Sequence, residues 1–176
     1  MKTVHKIEFT TYTVDDHPHP ERCIEYVCEN WHDLYTDQEE NANSLRGFCE
    51  YNSFTMVDYS VSLCGHSFAI ANVPEDLEDL RGVLLYEYML GAATVPEEDC
   101  PFTGLCMDEV LLQPMREFVA KPQLMETTYQ ELVNECLAAW VATYIECWEA
   151  TYSDENIREH LLINEYEFTE DGKFYE

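Results

Sequence analysis

Eight cysteines and six histidines are the side chains of this chain best suited to metal or nucleophilic chemistry, and their spacing decides how much of it is on offer. A structural zinc site takes cysteines roughly two to four residues apart, followed by a second such pair. Cys23 and Cys28 stand five positions apart and Cys100 and Cys106 six, so neither pair fits. Cys100, Cys106 and a histidine are the nearest approach to a ligand set. His17 and His19 alternate with Pro18 and Pro20 and read as solvated turn residues. A cysteine-dependent hydrolase can be written around Cys64, with His66 as base, or around Cys100. Sequence neighbours alone supply neither the third orienting group nor the oxyanion site that such chemistry needs. With about one residue in five acidic, close Asp/Glu pairs arise by chance and carry no glycosidase argument. The chain has no Gly-rich phosphate loop, nucleophile elbow or kinase-like set. The expectation is a protein that is not an enzyme and holds no metal or cofactor.

The cysteines have a plainer reading as core thiols. Cys136 lies one helical turn above Leu132, Cys28 one turn above Ile24, and Cys49 follows Phe48; free cysteine in a reducing compartment behaves as a small hydrophobe. A chain of 176 residues, 46% hydrophobic and 13% aromatic, is expected to bury a core. No run of apolar residues is long enough to span a membrane, and MKTVHKIEFTTYTVDD lacks the apolar centre of a signal peptide, so a cytoplasmic location is expected.

The elements that must position any functional side chain follow from periodicity. Residues 4–14 mix β-branched and aromatic residues as a strand does. Pro20 suits a first helical residue, and Ile24, Val27, Cys28, Trp31 and Leu34 predict a helix over 20–35. A second helix over 37–50 puts Ala42, Leu45, Phe48 and Cys49 inward. Between Phe54 and Val73 the period becomes two, with Val57, Tyr59, Val61 and Leu63 on one face, which predicts a β-hairpin whose two arms are expected to form a small antiparallel sheet with the N-terminal strand. Pro74 is expected to open a third helix with Leu77, Leu80, Leu84 and Tyr88 as its apolar stripe, ended by Gly91. Pro114 is expected to kink or divide a helix over 107–120. The longest helix is predicted over 126–152, followed by one capped by Ser153 and a hairpin about Asp171-Gly172. The fold class is α+β: a small antiparallel sheet packed with several helices and a long helix in the C-terminal half. One domain over 1–176 is the simpler organisation; the alternative divides it into lobes 1–91 and 107–176.

Charge is the feature out of the ordinary: 36 acidic residues against 9 basic ones, a formal −27. A bare nucleic-acid binder is excluded, since phosphate binding needs Lys and Arg clusters. The carboxylates are spread over predicted helices and loops, which makes them fixed charges on a folded frame. The long helix and the one after Ser153 carry Glu131, Glu135, Glu146, Glu149, Asp154, Glu155 and Glu159, expected on consecutive turns at spacings comparable to phosphates along a duplex. These seven are the candidate partner-binding residues.

Three segments also resemble a known family: ENWHDLYTDQEENANSLRGFCEYN at 29–52, CPFTGLCMDEVLLQPMREF at 100–118 and SDENIREHLLINEYEFTEDGKFYE at 153–176. They are similar to small acidic proteins of bacteriophages and mobile elements labelled as antitoxins of toxin–antitoxin stability systems. The resemblance implies binding and neutralising a partner, not catalysis. In charge alone the chain is also similar to phage antirestriction proteins of the DNA-mimic kind.

The expected function is therefore a phage or mobile-element counter-defence inhibitor, an acidic DNA mimic. Its partner would be a basic nucleic-acid-binding host protein, such as a restriction or CRISPR component, met in the host cytoplasm. No direct nucleic-acid or membrane contact is expected. An antitoxin-type binder would instead use an apolar patch, for which Trp31, Tyr35, Trp140 and Trp148 are the residues to watch, although aromatics at helical spacing normally face inward.

Overall fold

A computed structural model describes residues 10–32, 34–63, 65–104, 106–121 and 126–175. Among them are six helices, α1 (Pro20–Asn30), α2 (Gln38–Tyr51), α3 (Gly82–Gly91), α4 (Cys106–Ala120), α5 (Tyr129–Thr151) and α6 (Asp154–Ile163). One two-stranded antiparallel sheet pairs β1 (Thr55–Ser60) with β2 (Phe68–Asn72). The class is α+β, with the long helix in the C-terminal half. No helix among the described residues is long and apolar enough to cross a membrane.

The chain divides into two compact units, one made of residues 1–35 and 149–176 and the other of residues 36–148. The segment 91–106, the divide in the alternative two-lobe organisation, lies inside the second unit. In the first unit, α1 and α6 enclose Val14, Cys23, Val27, Ile157, Leu161 and Phe168. Trp31, Tyr166 and Phe174 stand edge to face, with centroids 5.1 to 5.4 Å apart. That packing explains why α1 stops at Asn30 rather than near residue 35: Trp31 turns to extended geometry (ψ 101°) and carries its ring to the other two. Residues 4–9 of the expected first strand lie outside the described residues. Within residues 10–14, Tyr12 forms a single bridge to Phe168, so this part joins the C-terminal tail and not the hairpin. The tail turns at Gly172 (φ 81°), where Thr169 N–H donates to the Lys173 carbonyl, as Asp171-Gly172 predicts.

In the second unit, α2 buries the expected Ala42, Leu45, Phe48 and Cys49, and α5 buries Tyr129, Leu132, Val133, Cys136, Leu137, Trp140 and Tyr144. The Trp140 indole N–H donates to the Asn41 carbonyl at 3.1 Å, so its polar edge is satisfied inside the core. Two expectations are corrected here. A register shift between Met56 and Asp58 bulges β1. Val57 is consequently exposed, and Met56 and Tyr59 turn inward; one extra residue reverses a two-residue period, while Leu63, also exposed, lies beyond the end of β1. The third helix starts at Gly82, not Pro74, and buries Leu85 and Met89 while Leu84 faces solvent. Residues 74–80 form turns because their carbonyls are needed elsewhere: those of Leu80 and Glu78 accept from the N–H groups of Tyr129 and Gln130, the orphan donors of the first turn of α5. Of the two outcomes expected at Pro114, division is excluded, since α4 continues on both sides of it from Cys106 to Ala120.

Candidate acidic interface

All seven candidate carboxylates are exposed, and they fall into two groups, one in each unit. In the second unit Glu131 and Glu135 line an open cleft of about 700 Å³ together with Glu126, Thr127, Thr128, Asn134 and Arg81. Glu131 is also structural. Its carboxylate accepts from the Thr128 N–H at 2.8 Å and the Thr128 hydroxyl at 3.0 Å, while the Thr128 hydroxyl accepts from the Glu131 N–H. Thr128-x-x-Glu131 is thus a capping box. Those hydrogen bonds, the backbone one first, hold the Glu131 carboxyl below its ordinary range, with a smaller contribution from Arg81. The motif is legible in the sequence and starts α5 at Tyr129, three residues after the Glu126 that the apolar period alone predicts.

Glu146 lies on the same face of α5 as Glu135, yet eleven residues further on, about 16 Å along the axis. Exposed Ala138 and Ala142 occupy the turns between. With Glu149 one turn beyond Glu146, four carboxylates over about 27 Å of helix are far sparser than the one charge per roughly 1.7 Å of duplex DNA. The consecutive-turn spacing expected from the sequence is therefore corrected: α5 presents a broken row with a guanidinium at one end.

In the first unit Asp154 and Glu155 occupy the first turn of α6, where the helix dipole favours them, and Ser153 caps that turn by accepting from the Asn156 N–H. Arg158, between Glu155 and Glu159, is taken by Asp15 with contacts of 2.6 and 2.7 Å. Glu159 lines a hollow of about 310 Å³ with Leu34, Thr151, Asn156, Ile157, His160 and Ile163. None of the seven forms an ion pair with Lys or Arg among the described residues.

The cysteines separate into two kinds. Cys23 and Cys49 are buried, and desolvation pushes both thiols up to about 11; Cys136 is pushed up in the same way. Cys28 is exposed, which corrects its reading as a core thiol: Val27 and Cys23 take the inner face of α1 instead. The Cys100 thiol is raised by desolvation and then by Asp108, Cys106, Glu109 and Asp99, the direction opposite to the one that activates a nucleophile. Cys64, the other hydrolase candidate, lies outside the described residues. No cluster of three or more His, Cys, Asp or Glu suited to a metal occurs among the described residues.

Two residues carry roles the sequence reading missed. His17 is buried, not solvated: its Nε2–H donates to the Thr169 carbonyl, and its Nδ1 accepts from the His19 N–H, both at 2.9 Å. Asp108, fully buried, gathers the N–H groups of Phe102, Thr103 and Gly104 on one carboxylate oxygen and the Thr103 hydroxyl on the other. Of the watched aromatics, Trp140 and Tyr35 are buried and Trp31 is half-buried in its aromatic corner.

No family model matches this chain, and neither does a curated protein or a solved structure. The interface is read from its own geometry.

Proposed function

We propose that the protein binds a basic, nucleic-acid-handling partner through carboxylates fixed on its helices. The single observation that carries this reading is the imbalance of charge on a folded frame. Even with each of the 9 basic residues taking one carboxylate, 27 of the 36 would have no cation. The bases are partly committed already, Arg116 to Asp99, Arg158 to Asp15 and Lys173 to Asp171. A field of that sign steers a basic partner and repels nucleic acid from the same surface. In this reading the chain is a counter-defence inhibitor of the kind carried by phages and mobile elements. It occupies the DNA-binding groove of a restriction or CRISPR component in the host cytoplasm. Its carboxylates oppose the groove's cations as separate charges, not as a copy of the phosphate lattice.

The test replaces Glu135, Glu146, Glu149 and Glu155 together by Gln, leaving Glu131 to cap α5. Because all four are exposed, thermal unfolding should be nearly unchanged. Association with a basic restriction or CRISPR protein should slow by about tenfold or more at low salt and little at high salt, and duplex DNA should compete. An unchanged rate in a folded variant removes this surface. Binding indifferent to salt removes the electrostatic reading altogether.

An apolar contact of the antitoxin type has one observation in its favour, the exposed Val83, Leu84 and Leu90 on α3.

A further inference from the structure

Helices α2 and α3 end beside one another in the second unit, and a groove of about 680 Å³ opens there. Its floor is apolar: Tyr51 from the end of α2, Met89, Leu90 and Ala93 from the end of α3, Val95 and Pro96 beyond it, and Val119 of α4. Tyr51 is 48% exposed and Leu90 55% exposed, so both present apolar surface at the mouth of the groove. The lip is fixed in place. The Tyr51 hydroxyl donates to the Ala93 carbonyl at 2.9 Å, and Thr94 N–H donates to the Met89 carbonyl at 3.1 Å to close the end of α3.

The rim is negative for two reasons. Glu97 and Glu98 line it, both exposed. Arg116, the one cation among the described residues lining the groove, pairs with neither carboxylate: its guanidinium is held by the Asp99 carboxylate at 3.0 Å and by the Glu98 backbone carbonyl at 2.6 Å. Lastly, α2 and α3 bring their C-terminal ends here, and neither carries a basic residue in its last turn, so their partial negative charge is uncompensated. On α3 the groove continues into a ridge of Val83, Glu87 and Leu90, spaced to share one helix face. On this face of α3 one exposed carboxylate thus stands between two exposed apolar side chains.

We propose that this groove docks an aliphatic or aromatic side chain carried on a basic segment of a partner protein, the flanking Lys or Arg meeting Glu87, Glu97 and Glu98. The proposal rests on the reading of a basic partner and adds the apolar anchor that charge alone does not supply. A second copy of this chain is the poorer occupant, because each copy brings a formal −27 and another acidic rim to the contact.

The probes are three synthetic peptides: a basic one with a central Trp, the same with Ser in place of Trp, and the Trp peptide with Glu in place of its basic residues. The Trp peptide should bind the intact protein about tenfold more tightly than the Ser peptide at high salt. That gap should close in Leu90→Ser, whose exposed position leaves folding intact by circular dichroism. Glu97→Lys with Glu98→Lys should weaken the basic Trp peptide and favour the acidic one. Amide shifts induced by the Trp peptide should centre on Tyr51, Leu90, Ala93 and Val119. Equal binding of the Trp and Ser peptides, a gap that survives in Leu90→Ser, or shifts confined to the carboxylates of α5 overturns the groove. So does sedimentation showing a dimer that Leu90→Ser dissociates. A Trp-dependent gain in a protein that ignores basic DNA-binding proteins leaves the groove standing and removes the proposed function. Salt-sensitive capture of such a protein, equal in Leu90→Ser and the intact chain, does the reverse.

Discussion

Replacing Asp108 tests whether one buried carboxylate holds the 100–104 loop to the helices of the second unit. One oxygen accepts from Phe102 N–H at 2.8 Å, Thr103 N–H at 2.6 Å and Gly104 N–H at 3.3 Å, and the other from the Thr103 hydroxyl at 3.0 Å. The loop so held puts Phe102 against Phe48 and Tyr51, and its Cβ only 2.7 Å from where a Cβ on Gly47 would lie. In Asp108→Ala, Gly104 is exposed and its N–H can turn to water, so it costs little. Phe102 and Thr103 are half-buried and lose charge-assisted bonds worth about 1.5–2 kcal/mol each, which gives a destabilisation of about 3–4 kcal/mol. Asp108→Asn keeps one oxygen for the backbone donors but gives up the charge and sets an NH2 donor where the Thr103 hydroxyl now donates, so that hydroxyl must turn to accept; it should still cost only about half as much as Ala. Urea unfolding followed by tryptophan fluorescence, with Trp140 in the same unit, measures both. An Asp108→Ala protein within about 0.5 kcal/mol of the parent would refute the argument, as would Asn costing as much as Ala.

Helices α2, α3 and α6 all close with the same paired hydrogen bonds and a non-glycine residue in the left-handed region, Ser53 (φ 56°), Ala93 (φ 50°) and Glu165 (φ 53°). Replacing Ser53 or Glu165 by Gly should stabilise by up to about 1 kcal/mol each and nearly additively; no gain in melting temperature would argue against strain there. Asp171 is held at about 2 by hydrogen bonds from Lys173 and then Thr169, so its contribution is complete above its ordinary value of 3.8 and fades as pH falls toward 2. Carboxyl NMR titration should find that low value, and Lys173→Met should return it toward 3.8. Glu131→Ala should lower the melting temperature more than Glu135→Ala, because only Glu131 caps α5. Since the Glu131 carboxyl is lowered, that difference should be full at neutral pH and vanish as acid protonates it.

Element types and most of their bounds follow from the sequence by itself, since they rest on local signals. Examples are the apolar period of α2 and α5, Pro20 at the start of α1, the Ser153 cap and the Asp171-Gly172 turn. The charge and its distribution over helices are equally legible, because exposed carboxylates need no partner to be where they are. Tertiary structure decided whatever depends on a distant hydrogen bond or a change of register. Residues 74–80 have the composition of a helix start but give their carbonyls to α5, some fifty positions away. The β1 bulge turns Val57 outward although the alternating pattern put it inward. Asp108 and His17 look like surface residues by type, and only the donors and acceptors folded around them make burial affordable. The broken row of carboxylates on α5 was countable from the positions of Ala138 and Ala142. The groove at the ends of α2 and α3 was not, because its floor is assembled from three helices whose ends meet only in the folded chain.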